Sequence, residues 1–193
     1  MHCSIVAALA ALSIGCAAAP ALAQPPDPVA LIAAQKAGLA PLSKMDGIWR
    51  GTAWTMDRTG KKHELTQTER IGPFLDGAVK VIEGRGYEAD GSVSFNALGV
   101  MSYDPVGKTF SFKSWAMGRQ GDFPLTLTAD GFIWTVPAGP GAIIRYTAVI
   151  RDGTWREVGE YMAEGQLPRQ IFEMNLKRVG DTSWPEGGAV PKE

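Results

Sequence analysis

Cysteine and histidine are nearly absent from this chain of 193 residues, and their positions tell more than their number. Both cysteines, Cys3 and Cys16, lie in an apolar leader, and beyond residue 23 the single histidine is His63. What remains cannot build a His/Cys zinc cluster, a cysteine nucleophile or a disulfide framework. A Ser-His-Asp triad would have to use His63, and the chain has no G-x-S-x-G elbow. No charge sign dominates: 19 Lys and Arg stand against 20 Asp and Glu, interspersed without a basic stripe, which excludes nucleic acid and anionic membrane surfaces as expected partners. Acidic residues do not gather in one loop, so no calcium or magnesium site is expected. Gly107-Lys108-Thr109 has Ser102 where a phosphate loop needs its first glycine, and Gly84-Arg85-Gly86 lacks the third glycine of a dinucleotide fingerprint.

One long apolar run is present, over residues 5–23, and it holds no charged residue. It closes on Ala21-Leu22-Ala23, a small-x-small cleavage site, and Gln24-Pro25-Pro26 follows. Residues 1–23 therefore read as a secretory signal peptide, with a periplasmic or secreted chain starting at Gln24 and no membrane span in it. Lipidation at Cys16 is the alternative, but Ser13 stands where a lipoprotein signal carries Leu.

Residues 24–46 form a helix and lead-in: Asp27 caps, Pro28 suits the first turn and Gly38 can end it. From residue 47 the helical period disappears. Asp-Gly turn signals, as at Asp90-Gly91, Asp130-Gly131 and Asp152-Gly153, recur about every ten residues. Alternation between them places about ten strands near 47–56, 63–71, 78–87, 92–103, 108–116, 122–128, 131–137, 142–151, 154–163 and 170–179. So many meandering strands would leave long unpaired edges in an open sheet. A single closed antiparallel up-and-down barrel over residues 47–179 removes them, with a sandwich as the alternative. Residues 180–193 read as a flexible tail.

The first strand opens Gly47-Ile48-Trp49-Arg50-Gly51, which resembles the G-x-W opening of the calycins, the superfamily of lipocalins and fatty-acid-binding proteins. The resemblance implies that Trp49 closes one barrel end with a basic residue of the last strand packed across it. Arg178 shares parity with Phe172, Met174 and Leu176 and is the expected partner, stacked on the indole. Thr68-Glu69-Arg70, Leu75-Asp76-Gly77, Ser102-Tyr103-Asp104 and Trp155-x-Glu157 extend the similarity to the bacterial calycin-like family known as domain of unknown function 1579, which has no settled activity to lend. Nitrobindin-like haem barrels are a neighbouring family and hold haem through a histidine. Here His63 sits beside Lys61 and Lys62 at a hairpin edge, so no haem or other cofactor is expected.

Charged residues that strand parity places beside apolar ones are the remaining signal. Glu69 shares a face with Leu65, Gln67 and Ile71; Glu83 and Arg85 with Val79, Val81 and Tyr87; Glu157 with Trp155 and Tyr161. If those faces are interior, Glu69, Glu83, Arg85, Trp115, Glu157 and Tyr161 line a mixed pocket. Three readings fit: structural charges, placed outward by a bulge or paired inside; a pocket for a small amphipathic molecule; or an enzyme using carboxylates such as Glu69 and Glu83 for acid–base chemistry. The expected function is binding of a small organic ligand in the barrel interior, with the enzyme, or an envelope protein-interaction module, as alternatives.

Overall fold

The structure, a computed structural model, describes residues 27–57, 59–188, 190 and 192. The expected signal peptide, with Cys16 and its cleavage site, lies outside the described residues. Helix α1 (Pro28–Leu39) starts where the Asp27 carboxylate accepts a hydrogen bond from the Val29 N–H at 3.0 Å, and a 3-10 turn over Ala40–Met45 follows.

Ten antiparallel strands come next: β1 (Gly47–Met56), β2 (Lys62–Phe74), β3 (Val79–Tyr87), β4 (Val93–Asp104), β5 (Thr109–Ala116), β6 (Arg119–Leu127), β7 (Gly131–Pro137), β8 (Ala142–Arg151), β9 (Thr154–Ala163) and β10 (Arg169–Gly180). Each pairs with its neighbours in sequence, and β10 returns to pair with β1, closing the barrel. Closure leaves no strand edge free for pairing with another chain. The hairpins turn tightly where the backbone can enter the left-handed region, as at Asp152 and Gly153 (φ 52° and 67°) between β8 and β9. No helix among the described residues is long and apolar enough to cross a membrane.

One end of the barrel is sealed. Leu42 and Met45 of the 3-10 turn are fully buried beneath Trp49, whose indole N–H donates to the Met45 carbonyl at 2.7 Å. Trp49 in turn meets Trp155 edge-to-face, ring centroids 5.8 Å apart. Lys80, on the inner face of β3, forms a buried ion pair with Asp46 at the join of turn and strand. Arg178 pairs with Trp49 across the β1–β10 ladder, but the expected stacking on the indole is replaced by a different latch. A register shift beside Trp49 turns the guanidinium across Gly47, where its Nε donates to the Asp46 carbonyl at 3.1 Å and its Nη2 pairs with Asp181.

The segment after Gly180 is not free where it is described. Trp184 lies under the Arg70 guanidinium at 4.6 Å, and the Glu186 carboxylate accepts from the Asp76 N–H at 3.0 Å. Both contacts fasten it to the outside of the barrel along β2 and the following turn.

Candidate functional site

Above the sealed floor the barrel encloses a cavity of about 350 Å³ that extends towards Thr55, Phe95, Ala116 and Phe172 at the opposite end. Its shape follows from an uneven distribution of side-chain size. The inner faces of β3, β4 and β5 carry Gly84, Ala97, Gly99, Ser114 and Ala116, whereas β7, β8, β9 and β10 supply Trp134, Tyr146, Trp155 and Phe172. Trp134 and Tyr146 stack at 4.3 Å with planes 13° apart, and Phe112 meets Trp134 edge-on at 4.9 Å. One wall is thus aromatic, and on the other small side chains leave space between Phe95 and Phe112.

Two carboxyls interrupt this apolar lining. Glu69 of β2 and Glu157 of β9 are each 7% exposed. Glu69 Oε1 accepts from Gln67 Nε2 at 2.8 Å, and Glu157 Oε1 accepts from the Trp134 indole N–H at 2.9 Å. Glu69 faces its cross-strand partner Gly84 and uses the room that a side chain there would take. Burial pushes the Glu69 carboxyl up to about 8; the Gln67 hydrogen bond opposes this, and negative charge at Glu157 and Glu83 adds to it. Burial likewise pushes Glu157 up to about 7, against the indole N–H groups of Trp134 and Trp155. Tyr146 is held up to about 12 by burial and then by Glu157. Among the described residues, no Lys, Arg or His lines the cavity.

The other candidates lie elsewhere. Glu83 and Arg85 face outwards, because the inner face of β3 is Lys80, Ile82, Gly84 and Gly86. Glu83 is clamped by Arg70 Nη2 at 2.5 Å and Arg85 Nη2 at 2.8 Å. Burial raises its carboxyl, but these hydrogen bonds outweigh burial and hold it below the usual range. The pairing of Glu69 with Glu83 for acid–base work is therefore not assembled in the interior. Trp115 is on the outer face of β5 with its indole N–H on Gln120 Oε1 at 2.9 Å, since Phe112, Ser114 and Ala116 take the inner positions. Tyr161 lies beyond the cavity lining on β9, under Arg169 at 5.7 Å. His63 is bonded to Glu88 at 2.8 Å near the start of β2. Of the six pocket candidates, the cavity gathers Glu69 and Glu157. It adds Gln67, Trp134 and Tyr146, which sequence reading left unassigned. Their signal was parity: Gln67 lies between Leu65 and Glu69 on one face, and Trp134 alternates with Phe132 and Val136.

The sequence matches no protein-family model, and no curated protein matches it significantly. Among solved structures it matches the crystal structure of Rv2717c from M. tuberculosis, with 13% identity over 74% of this chain and 97% of that one and a TM-score of 0.55. A likeness at that identity speaks to architecture and not to activity. The chain has a calycin-like barrel fold resembling that of Rv2717c.

Proposed function

We propose that this is an exported barrel that binds a small amphipathic molecule inside its cavity. The observation that carries the reading is the pairing of an apolar, aromatic-walled space of about 350 Å³ with two buried carboxyls. Ligand sites have this composition: a mostly apolar wall gives affinity, and a few placed polar groups give orientation. A barrel built for rigidity alone would fill its centre, because empty apolar volume forfeits packing contacts. The uncharged apolar run over residues 5–23, closing on Ala21-Leu22-Ala23, supports export.

Native mass spectrometry of protein purified from its own host tests the binding. The folded chain is expected to carry a small-molecule adduct. Ala97→Phe, which places a ring into the cavity from β4, is expected to lose it. An adduct that survives this substitution at full occupancy lies outside the cavity and overturns the reading. Intact mass on the same sample tests export: the chain is expected to begin at Gln24, and one that still begins at Met1 would contradict it.

A further inference from the structure

The binding reading leaves the chemistry of the ligand open, and three features of the cavity narrow it. First, the cavity is lined by two acidic side chains, Glu69 and Glu157, and among the described residues by no basic one. At the rim, Lys62 lies over the Trp54 ring at 3.9 Å, Arg169 over Tyr161, and Arg119 across the β5–β6 ladder from Ala116, and none of the three lines the cavity. Second, Glu157 is surrounded by donors suited to its charged form. The Trp134 N–H is bonded to it, and the Trp155 N–H also favours its ionisation. Yet Trp155, 3% exposed, has no hydrogen-bond partner for that N–H. Third, an aromatic wall stands beside this carboxyl, with Trp134 and Tyr146 stacked on each other and Phe172 edge-on to Tyr146, and electron-rich rings attract cations.

Resting on the binding reading above, we propose that the cavity takes a flat aromatic molecule carrying a basic nitrogen, its ring within the aromatic wall that Trp134, Tyr146 and Phe172 build and its cationic nitrogen between Glu69 and Glu157. A buried carboxylate without a counter-charge is costly. Around Glu69 stand Gln67, Gly84 and, through space, Glu157 and Glu83; around Glu157 stand Trp134, Trp155 and Tyr146. None of these supplies a positive charge, and Lys80 is paired with Asp46 below. Protonation alone relieves that cost in the cavity, and a cationic ligand is the source of positive charge that lets a carboxyl ionise there. With a cation in place, one carboxyl ionises beside it, and the two indole N–H groups then both have an acceptor at Glu157. An anionic ligand meets the opposite situation, a second negative charge in an acidic, desolvated space.

Three fluorophores with a linear three-ring aromatic body of similar size and different charge separate these cases: proflavine, a cation; anthracenemethanol, neutral; and anthracene carboxylate, an anion. Fluorescence titration of the mature chain near neutral pH is expected to rank them in that order, with proflavine about ten-fold or more tighter than anthracenemethanol. In the double variant Glu69→Gln, Glu157→Gln, proflavine is expected to fall to the level of the neutral dye, while a thermal melt reports whether the barrel is intact. Equal affinity for the three wild-type titrations, or preference for the carboxylate, overturns the charge assignment and leaves interior binding standing. If none of the three binds, both readings fall.

Discussion

Glu69 lies directly across the β2–β3 ladder from Gly84, and a methyl group on Gly84 would stand 2.8 Å from both of its carboxyl oxygens. The glycine is therefore part of the site although it has no side chain to bring. Gly84→Ala is expected to push the carboxyl out of its seat and cost about 1–2 kcal/mol, the usual scale of overpacking. In a Glu69→Ala background the same change should cost clearly less, because the space has been vacated. Gly180→Ala, with nothing within 4 Å, is the control and should stay within about 0.5 kcal/mol. Urea midpoints that are additive for Gly84 and Glu69 would remove this coupling.

The two interior carboxyls make stability depend on pH in an unusual direction. Unfolded, each titrates near the ordinary 4.5; folded, they titrate near 8 and 7. Between pH 4.5 and 8 the folded chain therefore holds more protons than the unfolded one. Stability is greatest at the acid side of this window, falls as pH rises through it, and levels off above about 8. Glu83 and Glu173, held below the usual range, act in the opposite sense, but their contribution is lost only as pH falls below about 4.5. Urea unfolding at several pH values from 5 to 8 should show a declining midpoint, and Glu69→Gln should flatten it. A wild-type midpoint that climbs across this window would refute the assignment.

At the sealed end, Lys80 and Arg178 both reach Asp46, one at its carboxylate and the other at its carbonyl. Lys80 is 5% exposed, so Lys80→Ala breaks a largely buried pair and is expected to cost about 2–4 kcal/mol. Arg178 is more than a third exposed and its partner Asp181 is almost fully so, which leaves mainly the bond to the Asp46 carbonyl. Arg178→Ala should cost about 1 kcal/mol, and the outward Lys177→Ala less than about 0.5. An equal loss at Lys177 would mean that the Arg178 latch contributes nothing.

Haem is expected not to form a tight one-to-one complex. The histidine that follows the leader is turned to Glu88 outside the cavity lining, and Tyr161 is covered by Arg169. The phenol that does face the cavity, Tyr146, is stacked on Trp134 and held in its neutral form, a poor axial ligand. Haemin titration followed at the Soret band checks this. A sharp band saturating at unit stoichiometry, and lost in Tyr146→Phe, would place the protein among haem barrels.

The barrel was legible because its turns are punctuated by Asp-Gly pairs and its strands by alternation. The interior charges were legible only where that alternation was unbroken. On β2, Leu65, Gln67, Glu69 and Ile71 share one face with an apolar residue at each end. On β9, Trp155 anchors Glu157 in the same way. On β3 the signal pointed to the wrong side. Its outer face carries Val79, Val81 and Tyr87, whereas its inner face is Lys80, Ile82, Gly84 and Gly86, in which glycine carries no hydropathy and lysine is hidden by its ion pair. Val81 is buried on the outside beside Gly72, its ladder partner, which the Trp184–Pro185 backbone covers. Tertiary cover of this kind leaves no trace in a single strand's period.

The plug of Leu42, Met45 and Trp49 turns the barrel from a tunnel into a well. A ligand of the proposed kind would lead with the end that meets Glu69 and Glu157, and would leave by retracing that route. Recognition of such a ligand would then be strict for the leading group and lenient for the trailing one, which could lengthen past Thr55 and Phe172 into solvent without disturbing the contacts below. A series of homologous ligands differing only in tail length should share one affinity plateau while differing in how quickly they are exchanged.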